Sequence, residues 1–225
     1  MMTLPVLTYT FLRDFESCPH KAFRRYVSKD VKFTSTEAME RGKKDHEALE
    51  HRIGRGEALP RHLRSADPIC DIFDALPDTI PVRVEYFIGM KIDGSPCAWN
   101  DSDVWMRGKA DVACWSPDGG WLIDWKTGNT WEDPFELNCQ AMLCASHHGE
   151  VPFWKGEYFW LKEHKVGKRY DLDPMHTFAR VVNSWGLMTA YERQGTPGAW
   201  PKVPGKLCNW CDILDCEHNP RKEKG

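Results

Sequence analysis

Two strand-like stretches, residues 104–115 and 121–126, are separated only by Ser116-Pro117-Asp118-Gly119-Gly120, a run of turn-forming residues. So short a connection fits an antiparallel hairpin, because a parallel pair needs a crossover of a dozen residues or more. The hairpin carries charge where its pattern predicts burial. Asp111 lies within the first strand, and Asp124 and Lys126 follow directly on Trp121-Leu122-Ile123 in the second. Residues two apart on a strand share a face, so Asp124 and Lys126 stand side by side while Trp125 points the other way. A buried charged pair is costly unless something compensates it. A divalent metal at the carboxylate and a phosphate near the lysine would do so. With the turn near Pro117 and Gly119, Asp111 and Asp124 meet near the hairpin's open end, and two adjacent carboxylates suit a hard cation such as Mg²⁺ or Mn²⁺.

The rest of the chain supplies helices before and after this hairpin. Thr8 is placed to cap a helix over residues 9–27, interrupted at Cys18-Pro19, and residues 35–52 form a second that ends toward Gly54 and Gly56. A short helix follows over 67–76, closed by Pro77. Val82, Val84, Tyr86 and Ile88 alternate with Arg83, Glu85 and Phe87, which predicts a strand with Glu85 on one face. Helices are predicted over 133–148 and 174–193, and strands over 153–162 and 168–172. Strands interleaved with helices predict an α/β (α+β) class, with a central mixed sheet flanked by helices. The expected organisation is one domain, 1–225, with its core at about 78–195. A helical part at 8–60 and a cysteine segment at 200–218 complete it.

Gly108-Lys109-Ala110-Asp111 followed by Ile123-Asp124-Trp125-Lys126-Thr127-Gly128 resembles the RecB-like branch of the PD-(D/E)XK nucleases. Their pattern is a G-x-x-D strand, a short turn and D-x-K-T-G. Arg41-Gly42-Lys43-Lys44-Asp45-His46 is similar to the family's upstream helix, in which a histidine four residues after a glycine ligates metal. Glu85 stands where the first core strand often carries a glutamate, and Gln140 matches a glutamine of the helix after the lysine strand. Where the family places a tyrosine soon after that glutamine, this chain has Leu143, Cys144 and Ala145. The resemblance spans residues 8–216 and implies a restriction-endonuclease-like fold and hydrolysis of DNA phosphodiesters. It implies that His46, Asp111 and Asp124 hold one or two Mg²⁺ or Mn²⁺ ions. Lys126 then orients or helps deprotonate the attacking water, with Glu85 and Gln140 assisting.

Nine cysteines in a chain expected in the cytoplasm point to metal ligation before disulfides. Cys208-Asn209-Trp210-Cys211 and Cys216 give C-x₂-C-x₄-C in a segment without periodicity, the spacing of a metal knuckle. Cys18 is a candidate fourth ligand, and His20 or His218 would instead complete a zinc site. With Cys18 the set resembles the iron–sulfur members of the branch, the AddB type and the CRISPR adaptation nucleases. The resemblance implies a [4Fe–4S] cluster that joins the opening helices to the C-terminal segment. Cys70, Cys97, Cys114, Cys139 and Cys144 are read as packing residues.

The net charge of −3 does not mark a nucleic-acid binder, although the first 65 residues are basic, with Lys21, Arg24, Arg25 and Lys29 in one cluster and Arg41, Lys43 and Lys44 in another. Such runs can neutralise phosphates or simply be solvated helix faces. Residues 1–5 lack the features of a signal peptide and no apolar run is long enough for a membrane span, so a cytoplasmic location in a prokaryotic or phage-infected cell is expected. Trp99, Trp105, Trp115, Trp121 and Trp125 are expected to fill the sheet's core, and Trp210 to shield the cysteine site. The expected function is a DNA exonuclease of recombination, repair or phage DNA processing, acting on single-stranded or end-bearing duplex DNA with a possible recombination or replication partner protein. A CRISPR spacer-processing nuclease, or a catalytically idle DNA-binding module, are the alternatives.

Overall fold

The computed structural model describes residues 4–31, 35–128 and 131–221. The chain divides into two compact units, Ser35–Phe178 and, from the two ends of the sequence, Met1–Thr34 with Ala179–Gly225.

The first unit is built on a seven-stranded mixed sheet. Its strands are β1 (Val82–Met90), β2 (Pro96–Cys97), β3 (Met106–Ser116), β4 (Gly119–Lys126), β5 (Trp154–Trp160), β6 (Lys165–Val166) and β7 (Tyr170–Leu172), in the order β2-β1-β3-β4-β5-β6, with β7 also pairing β5. The expected hairpin is β3–β4, with Val112 opposite Ile123 and Ser116 opposite Gly119. β4 and β5 run parallel, and the connection between them passes through a helix, Pro134–His147. Asp133 caps that helix by accepting the Phe135 N–H at 3.0 Å.

This helix covers one face of the sheet through Leu137, packed against Gly156, and Leu143, packed against Gly108. The opposite face is covered by helices Glu37–Arg55 and Asp67–Asp74 and the 3₁₀ turn Arg61–Ala66 between them, whose Leu49, Phe73 and Leu63 cluster with Val112, Ile123, Trp125 and Phe159. The architecture is therefore a mixed α/β one, a central mixed sheet flanked by helices, as the pattern of the chain predicts. Numbered in chain order after the two opening helices, α1 (Tyr9–Ser17) and α2 (Pro19–Ala22), these are α3 (Glu37–Arg55), α4 (Asp67–Asp74) and α5 (Pro134–His147).

α3 belongs to the unit built on the sheet, whereas the opening helices belong to the other unit. The α3 apolar residues Leu49 and Ile53 find their partners on β3 and β4. Trp105 and Trp125 are buried, but Trp99, Trp115 and Trp121 are only half-buried.

The second unit contains α1, α2 and most of α6 (Pro174–Arg193), together with the C-terminal segment. Thr8 caps α1 as expected, accepting the Phe11 N–H at 3.3 Å. α1 stops where Cys18 adopts an extended backbone, and Pro19 begins α2 at the first-turn position that proline favours. Phe15, Phe23 and Trp200 form this unit's aromatic core. No described helix is long and apolar enough to cross a membrane.

Candidate active site

The hairpin register carries Val112 opposite Ile123, so the next pair out is Asp111 and Asp124. Both are almost fully buried, at 4% exposure each. Burial, with the negative charge of Asp111 beside it, raises the Asp124 pKa well above its ordinary value. Burial also opposes ionisation of Asp111, but His46 and the Trp125 N–H hold it at about 2. That N–H donates to Asp111 Oδ2 at 2.9 Å and fixes its orientation.

His46 projects from α3 to within 3.4 Å of Asp111 Oδ1. Burial lowers its pKa, yet Asp111 outweighs burial and raises it. The approach of α3 depends on Gly42, one turn before His46: a Cβ there would lie 2.7 Å from Thr127 Oγ1. Gly42→Ala gains about 1 kcal/mol of helix propensity but forces Thr127 or the helix to move. We expect Mn²⁺ affinity, measured by titration calorimetry, to fall about tenfold, within the range for residues that orient ligands. Thr127→Ala in the same chain should restore it, and unchanged affinity in the single variant would contradict this role.

Glu85 reaches the same point by a route the alternation of β1 does not reveal. Val84 packs under the α3 and α4 cluster, whereas Tyr86 stacks on Trp115 and bonds His148 at 3.2 Å beside the end of α5. A regular strand would place both on one face. Between them Glu85 has φ of 49°, a left-handed conformation that costs a non-glycine residue about 1–2 kcal/mol. This switch of faces directs the Glu85 carboxylate toward Lys109, with which it forms an ion pair. Lys109 also lies 3.9 Å from Asp111. The ligand atoms of His46, Glu85 and Asp111 all fall within 4.8 Å of one another.

Lys126 stands beside Asp124, as expected for residues two apart, and forms an ion pair with it. Its second partner is Glu136 of α5 at 2.9 Å, which the sequence did not single out. Glu136 is four residues before Gln140 and so lies on the same helical face. Burial alone would lower the Lys126 pKa, but Asp124 and Glu136 together raise it, so the ammonium stays charged at neutral pH. Gln140 itself is buried with its Oε1 lacking a hydrogen-bond partner, and its bonds include none to Asp124 or Lys126. Glu136, one helical turn before Gln140, is the α5 residue that contacts the lysine.

The donor set is the His46 imidazole with the Glu85 and Asp111 carboxylates, and the buried Asp124 carboxyl lies next to Asp111 on the neighbouring strand. Hard divalent cations favour such oxygen-rich sets. These residues fit Mg²⁺ or Mn²⁺.

In the second unit, Cys18, Cys208, Cys211 and Cys216 line a single cavity together with His20 and His218. Burial raises the Cys211 thiol pKa, and Cys18 is close enough to add to the effect. Among the described residues no three of these sulfurs lie within 4.8 Å of one another. Tetrahedral zinc, at about 2.3 Å from each thiolate, would draw them to within about 4 Å. The C-terminal loop is shaped by Asn219, 1% exposed, whose amide donates to the Cys211 and Ile213 carbonyls at 2.9 Å each. Trp210 is 81% exposed and does not shield the cavity.

Of the basic cluster of the opening helices, Lys21, Arg24 and Arg25 are committed to internal pairs, and Lys29 is exposed. Lys21 and Arg25 contact buried Asp14 at 2.8 and 2.5 Å. Arg25 also meets Asp212 at 3.1 Å, and Arg24 meets Asp30 at 2.6 Å and Asp215 at 3.0 Å. Arg24 and Arg25, in the Phe23–Val27 stretch that follows α2, tie it to the cysteine segment, so these two and Lys21 are not a free phosphate-binding face.

No family model matches the sequence, and no curated protein matches it. Among solved structures, the crystal structure of a protein named SSO0001 is similar over 97% of this chain and 89% of that one, with 12% identity and a TM-score of 0.47. A likeness at that level leaves the site to be judged on its own residues.

Proposed function

We propose that this protein is a metal-dependent deoxyribonuclease of the PD-(D/E)XK type, RecB-like branch, acting as an exonuclease in recombination, repair or phage DNA processing. The observation that carries the reading is the convergence of His46, Glu85 and Asp111, from three separate elements, to within 4.8 Å of one another, with the Asp124–Lys126 pair on the neighbouring strand. A folded protein gains nothing in stability from a left-handed glutamate and two carboxyls forced together. Such strain is retained at sites of chemistry.

Asp111, Asp124, His46 and Glu85 would hold one or two Mg²⁺ or Mn²⁺ ions. A bound ion supplies Lewis-acid polarisation of the scissile phosphate and lowers the pKa of water. Imidazole in the set favours Mn²⁺ modestly over Mg²⁺. Lys126, a fixed cation, orients the water and offsets charge developing on the phosphorus oxygens. Its raised pKa supports that electrostatic role over a role as the base. Glu136 keeps the ammonium aimed at the Asp124 side. The Trp125 N–H keeps Asp111 turned toward the site.

The four cysteines would hold a [4Fe–4S] cluster. Four thiolates suit such a cluster, and Zn²⁺ is the alternative occupant. The cytoplasm of a prokaryotic or phage-infected cell is the proposed location, and DNA the proposed partner. The test is digestion of end-labelled single-stranded and duplex DNA with Mg²⁺ or Mn²⁺. Release of labelled products that stops on adding EDTA is the expected result, and an inert protein with metal fully bound would overturn the reading.

A further inference from the structure

Beside the acidic centre, the same sheet exposes an aromatic pair that the packing of the core does not require. Phe87 on β1 is 55% exposed, and its ring meets Trp99 edge-on with centroids 5.0 Å apart. Gly89 makes this approach possible, since a Cβ there would collide with the Ala98 carbonyl at 2.7 Å. The glycine lets the segment after β2 close down on β1 and sets Trp99 against Phe87. The Arg107 guanidinium lies over the Trp99 indole at 4.8 Å and has no carboxylate partner among the described residues.

The pair stands next to the site through the strand register. Phe87 is opposite Lys109 and Gly89 is opposite Arg107, so Asp111, Lys109 and Arg107 are spaced two apart along β3. A cation at every second residue thus leads from the carboxylates to the aromatic pair. Asp101 and Asp103 are the nearby acids, and both act on Lys91. An exposed aromatic face flanked by cations is the chemistry that holds an unpaired base and its phosphates.

We propose that Phe87, Trp99 and Arg107 form a stacking subsite for the unpaired bases of a single nucleic-acid strand, whose backbone follows β3 past Lys109 to Asp111. A duplex keeps its base faces covered within the stack and gains little from such a platform. The subsite rests on the nuclease reading for its purpose, but its binding is measurable without catalysis.

The test is fluorescence anisotropy with labelled oligothymidylate in EDTA, using wild type, Phe87→Ala, Phe87→Leu and Phe87→Tyr. Removal of the ring is expected to raise the Kd about tenfold, the effect of one lost base–aromatic stack. The leucine variant should behave as the alanine one, whereas tyrosine should restore binding. A purely packing role would be rescued by leucine instead. A single abasic position in the oligonucleotide should weaken wild type by the same factor and leave Phe87→Ala unaffected. Affinity for blunt duplex and hydrolysis of bis(p-nitrophenyl) phosphate should not change. Equal affinity of Phe87→Ala and wild type, no abasic effect, or an equal loss on duplex would overturn the proposal. Failure of the nuclease reading is distinct: no hydrolysis of any phosphodiester by wild type with Mn²⁺.

Discussion

Asp124→Asn is expected to reduce DNA cleavage by about a thousandfold or more, a loss on the scale of removing a principal electrostatic group, while making the metal-free protein more stable. Both effects have one origin. Burial and the negative charge of Asp111 disfavour the charged form of Asp124 and raise its pKa in the folded, metal-free protein. In the unfolded chain the same group is ionised above about pH 3.9. The folded state therefore binds more protons, and stability falls as pH rises from the unfolded value through the raised folded one. Asparagine is close in shape to the protonated acid, can donate to Asp111, and carries no such dependence. Melting curves without metal should show the variant above wild type at pH 7, with the gap closing toward pH 4. With Mn²⁺ the order should reverse, since only wild type gains from binding. A variant that melts below wild type in EDTA and cleaves at the wild-type rate would contradict the assignment of Asp124.

The second large effect concerns the cysteine cavity. Cys211→Ser is expected to remove the broad absorbance near 400 nm of an anaerobic preparation, an expectation of cluster chemistry, and to lower stability by about 5 kcal/mol. That figure is the loop-closure contribution of a cross-link spanning well over a hundred residues, here from Cys18 to Cys208–Cys216. The ion pairs of Arg24 and Arg25 with Asp215 and Asp212 tie the same segments, but they are partly exposed and contribute less. Cys70→Ser, at a buried cysteine outside the cavity, should leave the absorbance intact. A colourless protein with stoichiometric zinc would refute the cluster and return His20 or His218 to consideration as ligands.

Much of this molecule was legible in its residues. The hairpin followed from five turn-forming residues between two apolar strands, and its register alone sets Asp111 against Asp124. Period-two spacing joined Asp124 to Lys126, and a capping residue located α1. What escaped was non-local. Alternation put Glu85 on one face of β1, but its left-handed φ is imposed by the tertiary setting and has no local signal. Glu136 could have been found one helical turn before Gln140, yet nothing in the sequence says which of the two faces the lysine. The basic run at Lys21, Arg24 and Arg25 left phosphate binding and a solvated face both open, because Asp212 and Asp215, the partners of Arg25 and Arg24, lie near the other end of the chain. Phe87 read as one more strand residue, and only the fold shows its ring open to solvent beside Trp99.

The central claim is that the buried carboxylates and Lys126 cleave DNA with a divalent ion. Its most direct test is the rate of cleavage of end-labelled DNA in EDTA as Mn²⁺ is restored, for wild type and Lys126→Met in parallel. The account predicts that wild type recovers activity with the metal, while the variant binds Mn²⁺ with similar affinity and cleaves about a thousandfold more slowly. Metal-independent cleavage, or equal rates in the two proteins, would contradict it.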